Sequence, residues 1–485
     1  MSADSNDIIE PPQKEMEYIG KFGIQGTLLF LDHLLVAIGG WIYWLIIVSK
    51  ISPFEVGQAT AVYSLVTLIS ILTQLGLEYP ILKRSSAHDD QILVTALIIE
   101  LIITTAAVPI VPYIISSLFQ QSFHGLSVKF TLIAVIILLL SSLSFVSRFA
   151  LLGISDVKSV LIIDLIGTGI KFAVGYGLIW FLGFGALGML LSFLLQNLVM
   201  MTATILVARR KRKFGYKVGD LKYITGIIKD GLINTPSKFS RTLILSLSVV
   251  LLGSYGITSS DIGIFYIALM ISIVAIGSLA SSMAYMVIPI STKLGTDLSS
   301  ASSRISVSLI APMIAAVISS PKFILSIIGT QYVPGEPILL VLSIAILPFS
   351  ITMNFISKSN NLQMSTKLLA IGIAEILTFL IAFFFLVPDY GIIGAAFSTL
   401  IAFVSSCLLS LVWSGATSFR YAAASALAII AGGTISHAIG LIINVHPPIA
   451  ILISVAVSLA VVIMLKNTSV NELGQLAKGI ITRIK

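Results

Sequence analysis

Fourteen apolar stretches follow one another from Phe22 to Leu465, most of them separated by only a few polar residues. Their apolar positions run on continuously instead of alternating with polar ones, which predicts helices and not half-buried strands. About 20 such residues carry a helix across the hydrocarbon core, and a helix satisfies its own backbone there. The pattern predicts spans at 22–48, 57–79, 91–118, 130–152, 158–182, 186–207, 232–254, 261–289, 304–328, 337–357, 368–387, 391–412, 421–443 and 448–465. Clear breaks fall at Gln120-Gln121-Ser122-Phe123-His124-Gly125, at Gly153-Ile154-Ser155-Asp156 and at His446-Pro447-Pro448. The fifth and sixth spans are divided only by the glycines of Gly183-Phe184-Gly185. The expected fold is an all-α polytopic membrane protein with 14 transmembrane helices.

Composition agrees. With 57% hydrophobic residues, 10% charged and a mean hydropathy of +1.06, the chain is not a water-soluble globule. The distribution of Lys and Arg sets the expected orientation. With the N-terminus placed in the cytoplasm, outer loops carry only Lys50, Lys129 and Lys322, and nearly every other loop cation falls inside. Cationic loops stay inside, so both termini are expected in the cytoplasm of a cell (plasma) membrane protein. Trp41, Trp44 and Trp180 then fall near the outer interface and Trp413 near the inner one. The net charge of +8 follows from this topology and does not point to nucleic acid. The run Arg209-Arg210-Lys211-Arg212-Lys213 directly follows a span and reads as a stop-transfer anchor that attracts anionic lipid. The first 21 residues are polar, so no cleavable secretion signal is expected. The single cysteine, Cys407, lies inside the twelfth span.

Sliding the chain along itself by 206 positions brings Glu55-Val56-Gly57 onto Asp261-Ile262-Gly263 and Tyr79 onto Tyr285. The same offset brings Gly185, Gly188 and Ser192 onto Gly391, Gly394 and Ser398. Two parallel-repeat six-helix lobes are therefore expected, plus a C-terminal helix pair. The divisions are an N-terminal lobe with its polar tail (1–207), a basic cytoplasmic linker (208–231), a C-terminal lobe (232–413), two extra spans (414–465) and an amphipathic cytoplasmic tail (466–485). In the linker Val218, Leu221, Ile224, Ile227 and Ile228 share a helical face, which predicts a helix along the inner interface. Parallel repeats about a midplane site suit a transporter that rocks one half against the other.

Ser52 to Arg84, the stretch from Tyr332 to Leu342 and that from Tyr390 to Ser398 resemble segments of polysaccharide-type flippases. These belong to the multidrug/oligosaccharidyl-lipid/polysaccharide exporter superfamily, and the likeness runs over most of the chain. The resemblance implies movement of lipid-linked sugars and a cationic central cavity. Fourteen spans fit those branches better than the multidrug branch, which typically has twelve.

An ionisable group at a helix centre costs at least ~2.5–3.5 kcal/mol unless paired or hydrated. Eight such groups lie inside the predicted spans: Arg148, Lys171, Lys238, Arg241, Asp32, Glu100, Asp164 and Glu375. Most fall roughly 9–15 Å from the cytoplasmic end at about 1.5 Å per residue, as expected of a wet vestibule open to the cytoplasm. Lys238 and Arg241 share a helical face after Pro236 and suit a diphosphate, Arg241 by its forked donors. Snorkelling to the headgroups is the plainer alternative for both. Lys171, near the midplane, joins them as a substrate-binding candidate. Asp32 is equivalent to Lys238 under the repeat, so a gate pair between them competes with a local polar contact. Glu100, Asp164 and Glu375 are candidates for a coupling H+ or Na+, or neutralise nearby cations. Arg148, one turn from its helix end, reads as an interfacial anchor.

No glycine-rich phosphate loop precedes a helix, and the five histidines are scattered, so neither an ATP motor nor a metal centre is predicted. No soluble domain is available to hold a catalytic site. No cofactor and no enzyme activity are expected. The sequence reads as a flippase moving a polyprenyl-pyrophosphate-type lipid-linked oligosaccharide to the outer leaflet by alternating access. Glycosyltransferases or a polymerase of a surface-polymer pathway would be its partners. An ion-coupled antiporter of small organic cations or drugs is the alternative.

Overall fold

The computed structural model describes residues 32, 35–36, 38–40, 42–87, 89–117, 128–154, 156–211, 215, 217–234, 236–277, 279–281, 299–361, 364–414, 416–443 and 446–465. Regular structure among them is entirely helical. The first half of the chain supplies α1 (Ile38–Val48, with Asp32 also helical), α2 (Pro53–Thr73), α3 (Glu78–Ser86), α4 (Ile92–Ala107), α5 (Ile110–Ser117), α6 (Val128–Gly153), α7 (Val157–Tyr176) and α8 (Gly185–Arg210). The linker forms α9 (Leu221–Asn234). Beyond it lie α10 (Pro236–Ser254), α11 (Ser259–Leu269), α12 (Ser299–Ser319), α13 (Pro321–Ile328), α14 (Glu336–Asn361), α15 (Ser365–Ser414), α16 (Ala416–Ile443) and α17 (Pro447–Met464).

Eight of the described helices are long and apolar enough to cross a membrane, or nine if one bent pair is a single span. Several predicted boundaries shift for identifiable reasons. The second span ends early because Leu75 and Gly76 both adopt left-handed backbone (φ 44° and 65°), after which α3 begins. The third is divided between α4 and α5. The ninth is bent by 83° between α12 and α13, at Pro321. The stretch labelled α15 is two helices that meet at the non-helical Gly391 (φ 54°, ψ −131°), where the division between the eleventh and twelfth spans was expected, and they fold back on each other so that Thr378 Oγ1 lies 2.8 Å from Ser405 Oγ.

The helices that begin after Ser52 and Thr258 are built alike. Ser52 Oγ accepts from Glu55 N–H at 3.3 Å while the Glu55 carboxylate accepts from Ser52 N–H at 3.2 Å, a reciprocal capping box behind Pro53. At the equivalent position Thr258 Oγ1 accepts from Asp261 N–H at 3.2 Å. The two helices then cross at their glycines. A Cβ on Gly57 would lie 1.7 Å from the Ser259 carbonyl oxygen, and one on Gly263 would lie 2.0 Å from the Pro53 carbonyl oxygen. Each glycine thus touches the counterpart of what touches the other, as two copies related by a twofold axis do. Gly185 and Gly391 repeat the theme, both left-handed at φ 47° and 54°.

Contacts between the halves gather around this crossing. Trp44 packs against Tyr266 with ring centroids 5.1 Å apart and the rings tilted by 52°, and the Tyr332 hydroxyl donates to the Ile51 carbonyl oxygen at 3.1 Å. One apolar core runs through both halves, from Tyr43 and Leu65 to Phe265 and Phe403. A second, smaller core around Leu77, Ile81 and Ile99 includes Ile227 of α9.

Candidate functional site

The seam between α1 and α7 carries the charged residues. It is close-packed: a Cβ on Gly39 would meet Thr168 at 2.7 Å, and the Tyr43 ring lies against Gly175. At one end of the seam Asp32, Arg148 and Asp164 come together from three helices. The Arg148 guanidinium donates from Nη2 to Asp32 Oδ2 at 2.9 Å and to Asp164 Oδ2 at 2.7 Å. Its Nε adds a bond to Asp164 at 3.1 Å. Both carboxylates are buried, and their Oδ1 atoms have no hydrogen-bond partner among the described residues. Among the described residues one guanidinium faces two carboxylates.

This corrects one expectation. Arg148 is not a headgroup anchor, because two carboxylates at its own depth outcompete a reach to the interface. The Lys238 side chain of the expected gate pair lies outside the described residues, while the Asp32 carboxylate is bonded by Arg148. The pairing joins residues 116 positions apart, which no local spacing reveals. The available signal was shared depth: all three lie within a few turns of the inner ends of first-half spans.

Two turns beyond Asp164 on α7 sits Lys171, nine-tenths buried. Its ammonium lies 4.8 Å from the centroid of the Tyr43 ring and 5.6 Å from that of Phe193, within range of a cation–π contact. Around it Tyr63 stacks on Phe193 at 4.2 Å, and the Tyr43 hydroxyl is held 2.8 Å from Ser192 Oγ. No carboxylate pairs with Lys171 among the described residues. A buried ammonium held on aromatic faces keeps its capacity for an anion.

Glu100 of α4 is fully buried, and its Oε1 accepts from Thr104 at 3.3 Å and Thr73 at 3.5 Å. Glu375 of α15 is also buried, well apart in sequence from the Arg148 cluster. Nearby in the second half, hydroxyls pair across helices: Thr378 with Ser405 at 2.8 Å, and Ser306 with Ser350 at 3.2 Å. Lys238 and Arg241 lie in the first turns of α10, on one face by their spacing, and their side chains fall outside the described residues. So the structure unites Asp32 and Asp164 through Arg148, lines Lys171 up with them on α7, and keeps Glu100 and Glu375 in separate polar settings.

A family profile described as "Polysaccharide biosynthesis protein" matches residues 50–337, more than half of the chain. The chain belongs to that family. Among solved structures, this polysaccharide biosynthesis family member resembles a lipid II flippase, MurJ, in an inward closed conformation, with a TM-score of 0.68 at 14% identity. That match covers 91% of this chain and 98% of the other. It also resembles an inward-facing multidrug resistance MATE family transporter of the MOP superfamily, with a TM-score of 0.60 at 18% identity over 81% of this chain and 95% of the other. A MOP superfamily transporter from Pyrococcus furiosus, described as having reversed binding-pocket polarity, matches with a TM-score of 0.52 at 17% identity over 82% and 96% of the two chains. A search of curated proteins gives no match. The protein is an integral membrane protein with the fold of MOP superfamily transporters and flippases.

Proposed function

We propose that this family member moves a polyprenyl-pyrophosphate-linked oligosaccharide from the cytoplasmic to the outer leaflet of the cell membrane by alternating access. The observation that carries this reading is Lys171: a buried ammonium near the middle of its span, lodged on Tyr43 and Phe193 and without a carboxylate partner among the described residues. Such a cation is expensive to keep in a membrane interior and is repaid when an anionic headgroup arrives. Lys238 and Arg241, on the facing half in the proposed arrangement, complete the cationic lining. The diphosphate is held between the halves while the polyprenyl tail stays in lipid. In the orientation set by the loop charges, the glycine crossing seals the outer end. The described contacts between halves therefore support a state closed to the outside, from which rocking exposes the headgroup.

The Arg148 cluster supports ion coupling. Two carboxylates sharing one guanidinium can take up a proton or Na+ at the unpartnered Oδ1 atoms, and filling them releases Arg148 from one acid. Glu100 and Glu375 are the further coupling candidates. The same acid excess, together with the fold shared with MATE transporters, favours a second reading as a cation antiporter. Against it, Arg148 already occupies the seat a cationic substrate would take.

Thermal unfolding of the purified protein separates the two. A polyprenyl pyrophosphate raises the unfolding temperature, a cationic dye does not, and Lys171→Ala removes most of the lipid effect. Stabilisation by the dye with none by the lipid overturns the flippase reading.

A further inference from the structure

The outward face of α9 has no role in transport as described. Its other face is committed: Ile227 is fully buried in the inner core, and a Cβ on Gly231 would lie 2.6 Å from the Leu75 carbonyl oxygen. The helix is also pinned from the side. The Arg84 guanidinium lies 4.4 Å over the Tyr223 ring and pairs with Asp230 at 3.7 Å, and the Tyr223 hydroxyl donates to Asp89 at 2.5 Å.

The free face bears Leu221, 77% exposed, and Leu232, 51% exposed, with Lys222, Thr225 and Lys229 among them. Lys222 and Lys229 are seven residues apart, which places them on one face about 10 Å from each other. Neither has an anionic partner among the described residues. The helix's own acids are engaged elsewhere, Asp230 with Arg84 and Asp220 as acceptor from Tyr223 N–H at 2.8 Å. An open groove of about 410 Å³ runs here, lined by Thr225, Ile228, Lys229 and Leu232. Its depth is bracketed by two span ends: Gly219 N–H donates to Thr95 Oγ1 at 2.9 Å, one turn inside α4, and Gly231 packs on the Leu75 carbonyl just past the end of α2. The groove therefore lies level with the span ends, where headgroups meet acyl chains.

We propose that this groove binds an anionic phospholipid of the leaflet it faces, the cytoplasmic one in the orientation proposed above. The phosphate lies against the ammonium groups of Lys229 and Lys222 with the Thr225 hydroxyl donating to it, and an acyl chain follows Ile228 and Leu232. Unpaired cations beside exposed leucines, at interfacial depth, match an acidic lipid and not a neutral one. The inference does not depend on the transported substrate.

The test uses the full-length protein in neutral detergent. Phosphatidylglycerol is expected to raise the unfolding temperature by several degrees more than phosphatidylcholine, and native mass spectrometry to show phosphatidylglycerol retained. The double variant Lys222→Gln/Lys229→Gln unfolds like the parent without lipid, yet loses at least half of the shift and the retained lipid. Lys222→Arg/Lys229→Arg keeps both. Equal shifts from the two lipids, or an undiminished shift in the Gln pair, overturn the proposal. A polyprenyl diphosphate held by the parent against excess phosphatidylglycerol, and lost in the Gln pair, would assign the groove to substrate. A lipid-independent dimer lost in the Gln pair would assign it to a second copy. Either result contradicts the phospholipid site.

Discussion

Arg148 holds two buried carboxylates in place, and its removal leaves both without a counter-charge. Arg148→Gln is expected to cost about 3–5 kcal/mol, the usual penalty for breaking a buried pair from one side. Unfolding in detergent measures this. Adding Asp32→Asn and Asp164→Asn to the Arg148→Gln background should restore part of the lost stability, because no naked charge then remains. If the triple variant is as unstable as the single one, the cluster is not held together by charge. The sequence showed these three residues to be out of place in a membrane but not that they are partners, because their contacts span helices far apart in the chain. Lys171 was legible as a midplane cation. Its seat on Tyr43 and Phe193 was not, since aromatic residues inside apolar spans look like ordinary core.

Where α2 crosses α11, glycine is required by contact. A side chain at Gly57 would collide with backbone at Ser259, which cannot step aside as a side chain does. Gly57→Val is therefore expected to push the two helices apart at this end. With Ile262→Cys, buried beside the crossing, as a reporter, a membrane-impermeant thiol reagent should label the Gly57→Val background several-fold faster than the parent. Unchanged labelling would show that the crossing is not a seal. At α9, Tyr223→Phe removes the hydroxyl that donates to Asp89, a loss of about 1 kcal/mol. Faster hydrogen exchange along α9 would report it.

The Tyr223 phenol also gives a pH signature. Partial burial and the neighbouring Asp89 carboxylate push it up from 10.0 to about 12. A raised acid keeps its proton in the folded state, so its contribution is intact below pH 10 and is lost as pH climbs towards 12. The stability difference between the parent and Tyr223→Phe should shrink across that window. The helix at 221–234 was anticipated from spacing, but its docking was not. Ile224, Ile227 and Ile228 pack inward while Val218 and Leu221 remain exposed, because α3 offers a surface for only part of the apolar face.

At the scale of the whole molecule, the 206-residue offset carries more than the span count did. Apolar runs announce helices but not their bends, so the kink at Pro321 was hidden in a stretch that looked uniform, whereas the break at Gly391 falls where the spans were divided. The offset paired Glu55 with Asp261 and Gly57 with Gly263, and those positions do mirror one another in contact. What the repeat does not convey is the difference between halves. Arg148 would fall on Asn354 under the same offset, and Asn354 is a buried neutral amide that donates from Nδ2 to the Ser350 carbonyl oxygen at 2.8 Å.

The most direct test is flipping itself. Purified protein in liposomes, loaded with a fluorescent polyprenyl-pyrophosphate oligosaccharide, is read by the fraction of headgroup that becomes accessible across the bilayer. The account predicts protein-dependent flipping that falls at least tenfold in Lys171→Ala/Lys238→Ala/Arg241→Ala, while the variant still reconstitutes and unfolds near the parent temperature. Flipping undiminished in that variant, or uptake of organic cations with no movement of the lipid, would contradict it.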